Sequence, residues 1–212
     1  YPSRPIATSF GLRECCLDNL PHSLDAAGFA AYAQGSFWRQ WVEFGKPDPA
    51  HAAAATAAFQ AEAKERSPWW AARHLQSGVQ MFCGAARAAR LLAARGGATF
   101  VYRFDYAAHA ASKPFEGVAH SAELPFVFAA DEACTTAATA ALSDAIVRYW
   151  ATFATRADPN PPADAAAQRW VSFSMAAPRQ MVLNTSGLRL EEGWRMAQCR
   201  VLETALDEKW LR

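Results

Sequence analysis

Hydrophobic positions along this chain recur with two periods, and the change from one to the other marks the elements. Phe100-Val101-Tyr102-Arg103-Phe104 is β-branched and aromatic, with a charge only at Arg103, and predicts a buried strand. Ile6-Ala7-Thr8 predicts a second, shorter strand near the start. Between them the pattern is helical. Leu24 to Gln34 predicts a short helix ending near Gly35. His51 to Arg66 is an alanine-rich helix of high intrinsic propensity, broken by Pro68. Residues 77–97 predict a helix whose C-cap is Gly96-Gly97. After the strand at 100–104 comes a long loop ending in Gly117-Val118-Ala119-His120-Ser121-Ala122-Glu123, and then a second apolar segment reaching Phe128. Ala130 to Thr139 reads as a polar connector. Leu142, Ile146, Tyr149 and Phe153 follow at steps of four, three and four, which is one face of an amphipathic helix. Asp158, Pro159 and Asn160 end it. A last helix is expected from Leu190 to Leu206, with Met196, Cys199, Leu202 and Leu206 on one side.

Composition narrows the picture. The hydrophobic fraction is 52%, much of it alanine, so eight Trp and thirteen Phe supply the large anchors of the core. Phe37, Trp38, Trp41, Val42 and Phe44 cluster at mixed spacing and read as core packing rather than as a substrate gorge. A net charge of +1 with no block of like charges argues against nucleic acid or a membrane surface as partner. No apolar run approaches the ~20 residues that a transmembrane helix needs. The chain opens on Tyr1 without a visible signal peptide and is expected to be processed, truncated or partly represented. His22, His51 and His74 read as surface residues and His109 as a solvated loop residue. None lies at metal-ligand spacing, so neither a metal nor a cofactor is expected.

Several segments resemble the type-B carboxylesterase/cholinesterase family. VYRFDY followed by GVAHSAELPFVF is similar to its histidine region, and RYWATFATRADPNPP to its Y-W-x-x-F-A-x-x-G-D-P-N-x-P signature. Met81-Phe82-Cys83-Gly84, Trp170 with Met181-Val182-Leu183-Asn184, and Arg195 to Cys199 resemble further family segments in the expected order. Gly78 stands where the family has Asp, Gly84 and Val171 where it has Pro, and Ala157 where it has Gly. The resemblance implies an α/β fold: the C-terminal part of an α/β-hydrolase domain over residues 1–212, a mostly parallel sheet flanked by helices. It implies His120 as the general base of a catalytic triad, delivered on a loop after a strand. It implies Glu14 as the triad acid, against the plainer reading of a solvated loop carboxylate. Glu123 matches a family position beside the histidine, or is a surface charge. Cys83 and Cys199 match a family disulfide, which implies an oxidising, secretory or extracellular compartment; the alternative is two buried free thiols. Cys15, Cys16 and Cys134 have no assigned partner.

The nucleophile is missing from these residues. No serine lies in G-x-S-x-G, and no H-G-G-G type loop offers an oxyanion hole. The expected function is therefore that of a serine carboxylic-ester hydrolase part. It supplies the acid and the histidine to a serine on a missing segment or a partner chain carrying G-x-S-x-G, with a small ester as substrate, and it is inactive alone. The alternative is a non-catalytic carboxylesterase-like binding or structural subunit.

Overall fold

The structure is a computed structural model that describes residues 6–8, 20–38, 48–108, 117–162 and 168–210. The chain forms two compact units. One contains residues 1–12 and 87–194, the other 13–86 and 195–212.

The first unit is built on a four-stranded sheet in sequence order: β1 (Ile6–Thr8), β2 (Thr99–Phe104), β3 (Arg179–Leu183) and β4 (Arg189–Glu192). β1 runs parallel to β2 with Ile6 opposite Thr99, and β2 runs parallel to β3 with Tyr102 opposite Met181. β4 returns antiparallel on β3. Every residue of β2 is buried, as a strand covered on both faces requires. Both predicted strands are present, and helices with a small mixed sheet place the chain in the α/β class.

Alternation along β2 sends Phe100, Tyr102 and Phe104 to one face. There they join Leu142, Ile146, Tyr149 and Trp170 in one apolar core. Leu142, Ile146 and Tyr149 lie on the long helix Ala137–Arg156, as the periodicity predicted. Thr136 and Thr139 close a reciprocal capping box at its start. Ala157 ends it in the left-handed region at φ 60°, and its N–H bonds Phe153 O at 2.8 Å. The turn signature beyond has a structural role. Asn160 Oδ1 accepts from Trp170 N at 2.7 Å, and Asn160 Nδ2 donates to Trp170 O at 2.9 Å. One amide side chain thus pairs both backbone groups of the core tryptophan.

The second unit is helical. In chain order it contains α1 (Ala26–Ala31), a π-helical turn (Tyr32–Ser36), α2 (Pro49–Glu65), α3 (Pro68–Ser77), a second π turn (Gly78–Phe82), the start of α4 (Cys83–Ala94) and the last helix (Met196–Trp210). The remaining helices are α5 (Leu124–Val127), α6 (Ala137–Arg156) and α7 for the last one. Phe37 and Trp38 are buried, which agrees with the packing reading; Trp41, Val42 and Phe44 lie outside the described residues.

The break expected at Pro68 is present, since α2 ends at Glu65, and two other expectations are corrected. Pro68 starts α3, with Ser67 Oγ accepting from Trp70 N at 3.1 Å, because proline suits the first helical turn. The helix expected from 77 is one stretch of a run that already begins there. Its predicted end holds: Gly97 N donates to Leu92 O at 3.1 Å, with Gly96 at φ 77°. The last helix does not begin at Leu190, which pairs with Met181 in the β3–β4 hairpin. Gly193 and Arg195 take positive φ and separate strand from helix, so the helix expected from Leu190 to Leu206 joined two elements.

Candidate active site

Beyond Phe104 the chain passes Asp105 and Tyr106 and returns to the described residues at Gly117. Val118 and Phe126 are buried members of the β2 core. The residues between them form a turn and the opening of α5: Ala122 N donates to Ala119 O at 3.2 Å, and Leu124 N to Ser121 O at 3.1 Å. Ser121 takes φ 63°. Ser143 Oγ of α6 donates to Phe126 O at 2.8 Å and ties α5 to the long helix. His120 therefore sits exposed at the tip of a turn whose two flanks are fixed in the core.

Ala119 and Ala122, on either side of His120, line a cleft of about 410 Å³ with Tyr106, Phe126 and Glu132. Glu123 shares the turn with His120. Its carbonyl accepts from Phe126 and Val127 at 3.0 Å each, while its half-buried carboxylate makes no capping bond. Glu14, Cys15, Cys16 and His109 lie outside the described residues. The structure therefore brings His120 and Glu123 onto one turn.

Sequence reasoning missed two polar clusters. In the sheet unit, Arg103 is buried and forms ion pairs with Asp105 at 2.8 Å and Glu191 at 3.0 Å. Its guanidinium lies 4.9 Å from the Trp194 ring centroid. Arginine in an otherwise apolar strand was the one visible signal.

In the helical unit His74, expected at the surface, is only 1% exposed. Its Nδ1 meets Glu62 Oε1. Arg195 clamps the same carboxylate through Nη1 at 2.9 Å and Nη2 at 3.0 Å. Arg195 Nη2 is also 2.8 Å from His74 Nδ1. An Nδ1–H donating to Glu62 leaves that nitrogen no lone pair for arginine, so the guanidinium belongs to the carboxylate. Burial holds His74 below the usual imidazole range, and the charges of Arg195 and Arg66 lower it further against the pull of Glu62. Burial pushes Glu62 up, but hydrogen bonds from His74 and Arg195 and the Arg195 charge outweigh it and bring the carboxyl down to about 2. The cluster is a neutral, buried imidazole beside a half-buried carboxylate–guanidinium pair. Glu62 and His74 lie twelve positions apart on separate helices, a spacing with no local signature.

Cys83 and Cys199 form a disulfide, as the resemblance implied, and Cys134 is a free, half-buried thiol. Among the described residues no group of three or more His, Cys, Asp or Glu is placed to hold a metal, and no helix is long and apolar enough to cross a membrane.

A central parallel strand, with an exposed histidine on an anchored turn later in the chain, is the arrangement of an α/β protein with an accessible imidazole. The sequence model of the Carboxylesterase family matches residues 33–202, and the chain belongs to that family. It is similar to the acetylcholinesterase of Danio rerio, 34% identical over 110 residues, which is 49% of this chain and 17% of that protein. It is also similar to the acetylcholinesterase of Bungarus fasciatus, 31% identical over 123 residues, 56% of this chain and 20% of that protein. The chain thus matches about a fifth of the length of these curated relatives.

Proposed function

We propose that this chain is the C-terminal part of an α/β-hydrolase domain that acts as a serine carboxylic-ester hydrolase, with His120 as its general base. The observation that carries this reading is the placement of His120: exposed, on a turn held by buried Val118 and Phe126, past the carboxyl end of β2. His120 takes the proton of a nucleophilic serine as the serine attacks the ester carbonyl, then gives it to the departing alcohol. Glu14 orients the imidazole and stabilises its charged form, and Glu123 supports the turn. The serine and its oxyanion donors come from a G-x-S-x-G segment outside these 212 residues, on the same chain or another. The substrate is a small ester with an apolar acyl or alcohol group. The disulfide and the family support a secretory or extracellular site of action.

Fluorophosphonate labelling of the native material, read on denaturing gels with and without reductant, tests this. The expected result is a labelled serine outside residues 1–212 in material that contains this chain, with labelling lost in His120→Gln. A native assembly that stays dark overturns the hydrolase reading and leaves a non-catalytic binding or structural subunit.

A further inference from the structure

The turn between β3 and β4 carries chemistry that ester hydrolysis does not use. Of the three asparagines in the sequence, Asn19 has Pro at the second following position and Asn160 is followed by Pro161; only Asn184 opens an Asn-x-Ser/Thr triplet, Asn184-Thr185-Ser186. That triplet, without proline in the middle, is the acceptor for N-linked glycans. β3 ends at Leu183 and β4 begins at Arg189, so the triplet occupies the turn itself. Ser186 and Gly187 are exposed, Asn184 and Thr185 half-buried. A Cβ built on Gly187 meets nothing within 4 Å, so the space beside the turn is open.

The hydrogen bonds of Asn184 leave room for the modification. Its Oδ1 accepts from Ser186 N at 2.9 Å and Ser186 Oγ at 3.1 Å. Its Nδ2 donates to the carbonyl of Asp105. A carboxamide nitrogen carries two hydrogens. One serves Asp105; the other can be replaced by a sugar while the turn keeps its bonds.

We infer that Asn184 is an N-glycosylation site. Its Nδ2 forms a bond to the anomeric carbon of an oligosaccharide carried on a lipid pyrophosphate. The bond from that carbon to the pyrophosphate oxygen breaks, the lipid pyrophosphate leaves with the electron pair, and one amide proton passes to the transferase. Nothing is oxidised or reduced. The buried Cys83–Cys199 disulfide is the independent support: it forms in the oxidising secretory compartment where such transfer occurs. Because β3 is parallel to β2, the glycan leaves from the sheet edge on which β2 ends.

The test is peptide mass spectrometry on the native protein after peptide-N-glycosidase treatment in heavy-oxygen water. The expected result is complete or near-complete conversion of Asn184 to heavy-oxygen-labelled Asp. In protein made by the same secretory route, Ser186→Ala abolishes the conversion and Ser186→Thr retains it. A native peptide carrying Asn184 unmodified overturns the inference, and so does a glycan that survives Ser186→Ala. The readout on native material does not depend on the variants folding, and its failure leaves the reading of His120 untouched.

Discussion

Two histidines in this chain have opposite surroundings, and the surroundings decide what each can do. His120 is exposed on an anchored turn, accessible to a group from outside. In the complete hydrolase, His120→Gln is expected to lower kcat by about 10⁴-fold or more, while the unfolding free energy changes by less than about 0.5 kcal/mol, as for an exposed side chain. Steady-state ester hydrolysis and urea unfolding check the two halves separately. His74 is shut away beside Glu62 and Arg195. Its native pKa lies below the unfolded value of 6.5, so below pH 6.5 the unfolded chain takes up a proton that the native chain refuses. Its stabilising contribution is full above that pH and declines as pH falls. Glu62 falls from 4.5 to about 2, so its contribution is present above pH 4.5 and is lost as pH drops toward 2. Unfolding free energy is therefore expected to decline with acidification, first through His74 and then through Glu62. Glu62→Gln should cost on the order of 3 kcal/mol at pH 7 and flatten the lower part of that pH profile, measured by urea unfolding.

At the scale of elements, α6 shows how a departure from a family pattern reads physically. Its left-handed terminus is occupied by Ala157 rather than Gly, which strains an L side chain. Ala157→Gly is expected to raise stability by about 0.5–1 kcal/mol, the relief of the left-handed strain less the added freedom of the unfolded glycine. A urea titration with unchanged slope checks it. Gly78 is the reverse case. A Cβ there would meet Leu202 Cδ1 at 2.8 Å, so glycine admits a close approach of α7, and a polar anchor of the unit lies at half-buried Glu62 instead. The disulfide also acts on elements, joining the first residue of α4 to α7 across a sequence separation of 116. Replacing both Cys83 and Cys199 by Ser is expected to lower stability by about 4–5 kcal/mol in the chain-entropy account, seen as an earlier denaturant midpoint. Element types were largely legible because periodicity reports local burial. The boundary at Leu190 was not, because hairpin pairing and positive φ at Gly193 and Arg195 have no counterpart in an apolar spacing.

For the whole molecule, the proposed hydrolase reading requires a nucleophile that these 212 residues do not carry. With no G-x-S-x-G among its residues, the isolated 212-residue chain should turn over p-nitrophenyl acetate no faster than free imidazole at equal concentration. Activity should appear only when the serine-bearing part is supplied. The apolar side chains of Leu124, at the start of α5, and Phe128, just past its end, are exposed a few residues after His120.

The sequence by itself determined the α/β character, the strand at β2, the helix at α6 and, through family resemblance, His120 as the candidate base and the Cys83–Cys199 pair. These follow from local burial periods and from motifs contiguous in the chain. Tertiary structure alone decided that His74 is buried, that Glu62 and Arg195 meet around it, that Asn160 clamps Trp170, and that Arg103 lies between Asp105 and Glu191. Each depends on which separate elements pack together. A pattern along one element specifies the face that turns inward, but the partner on that face is fixed only when the chain has folded.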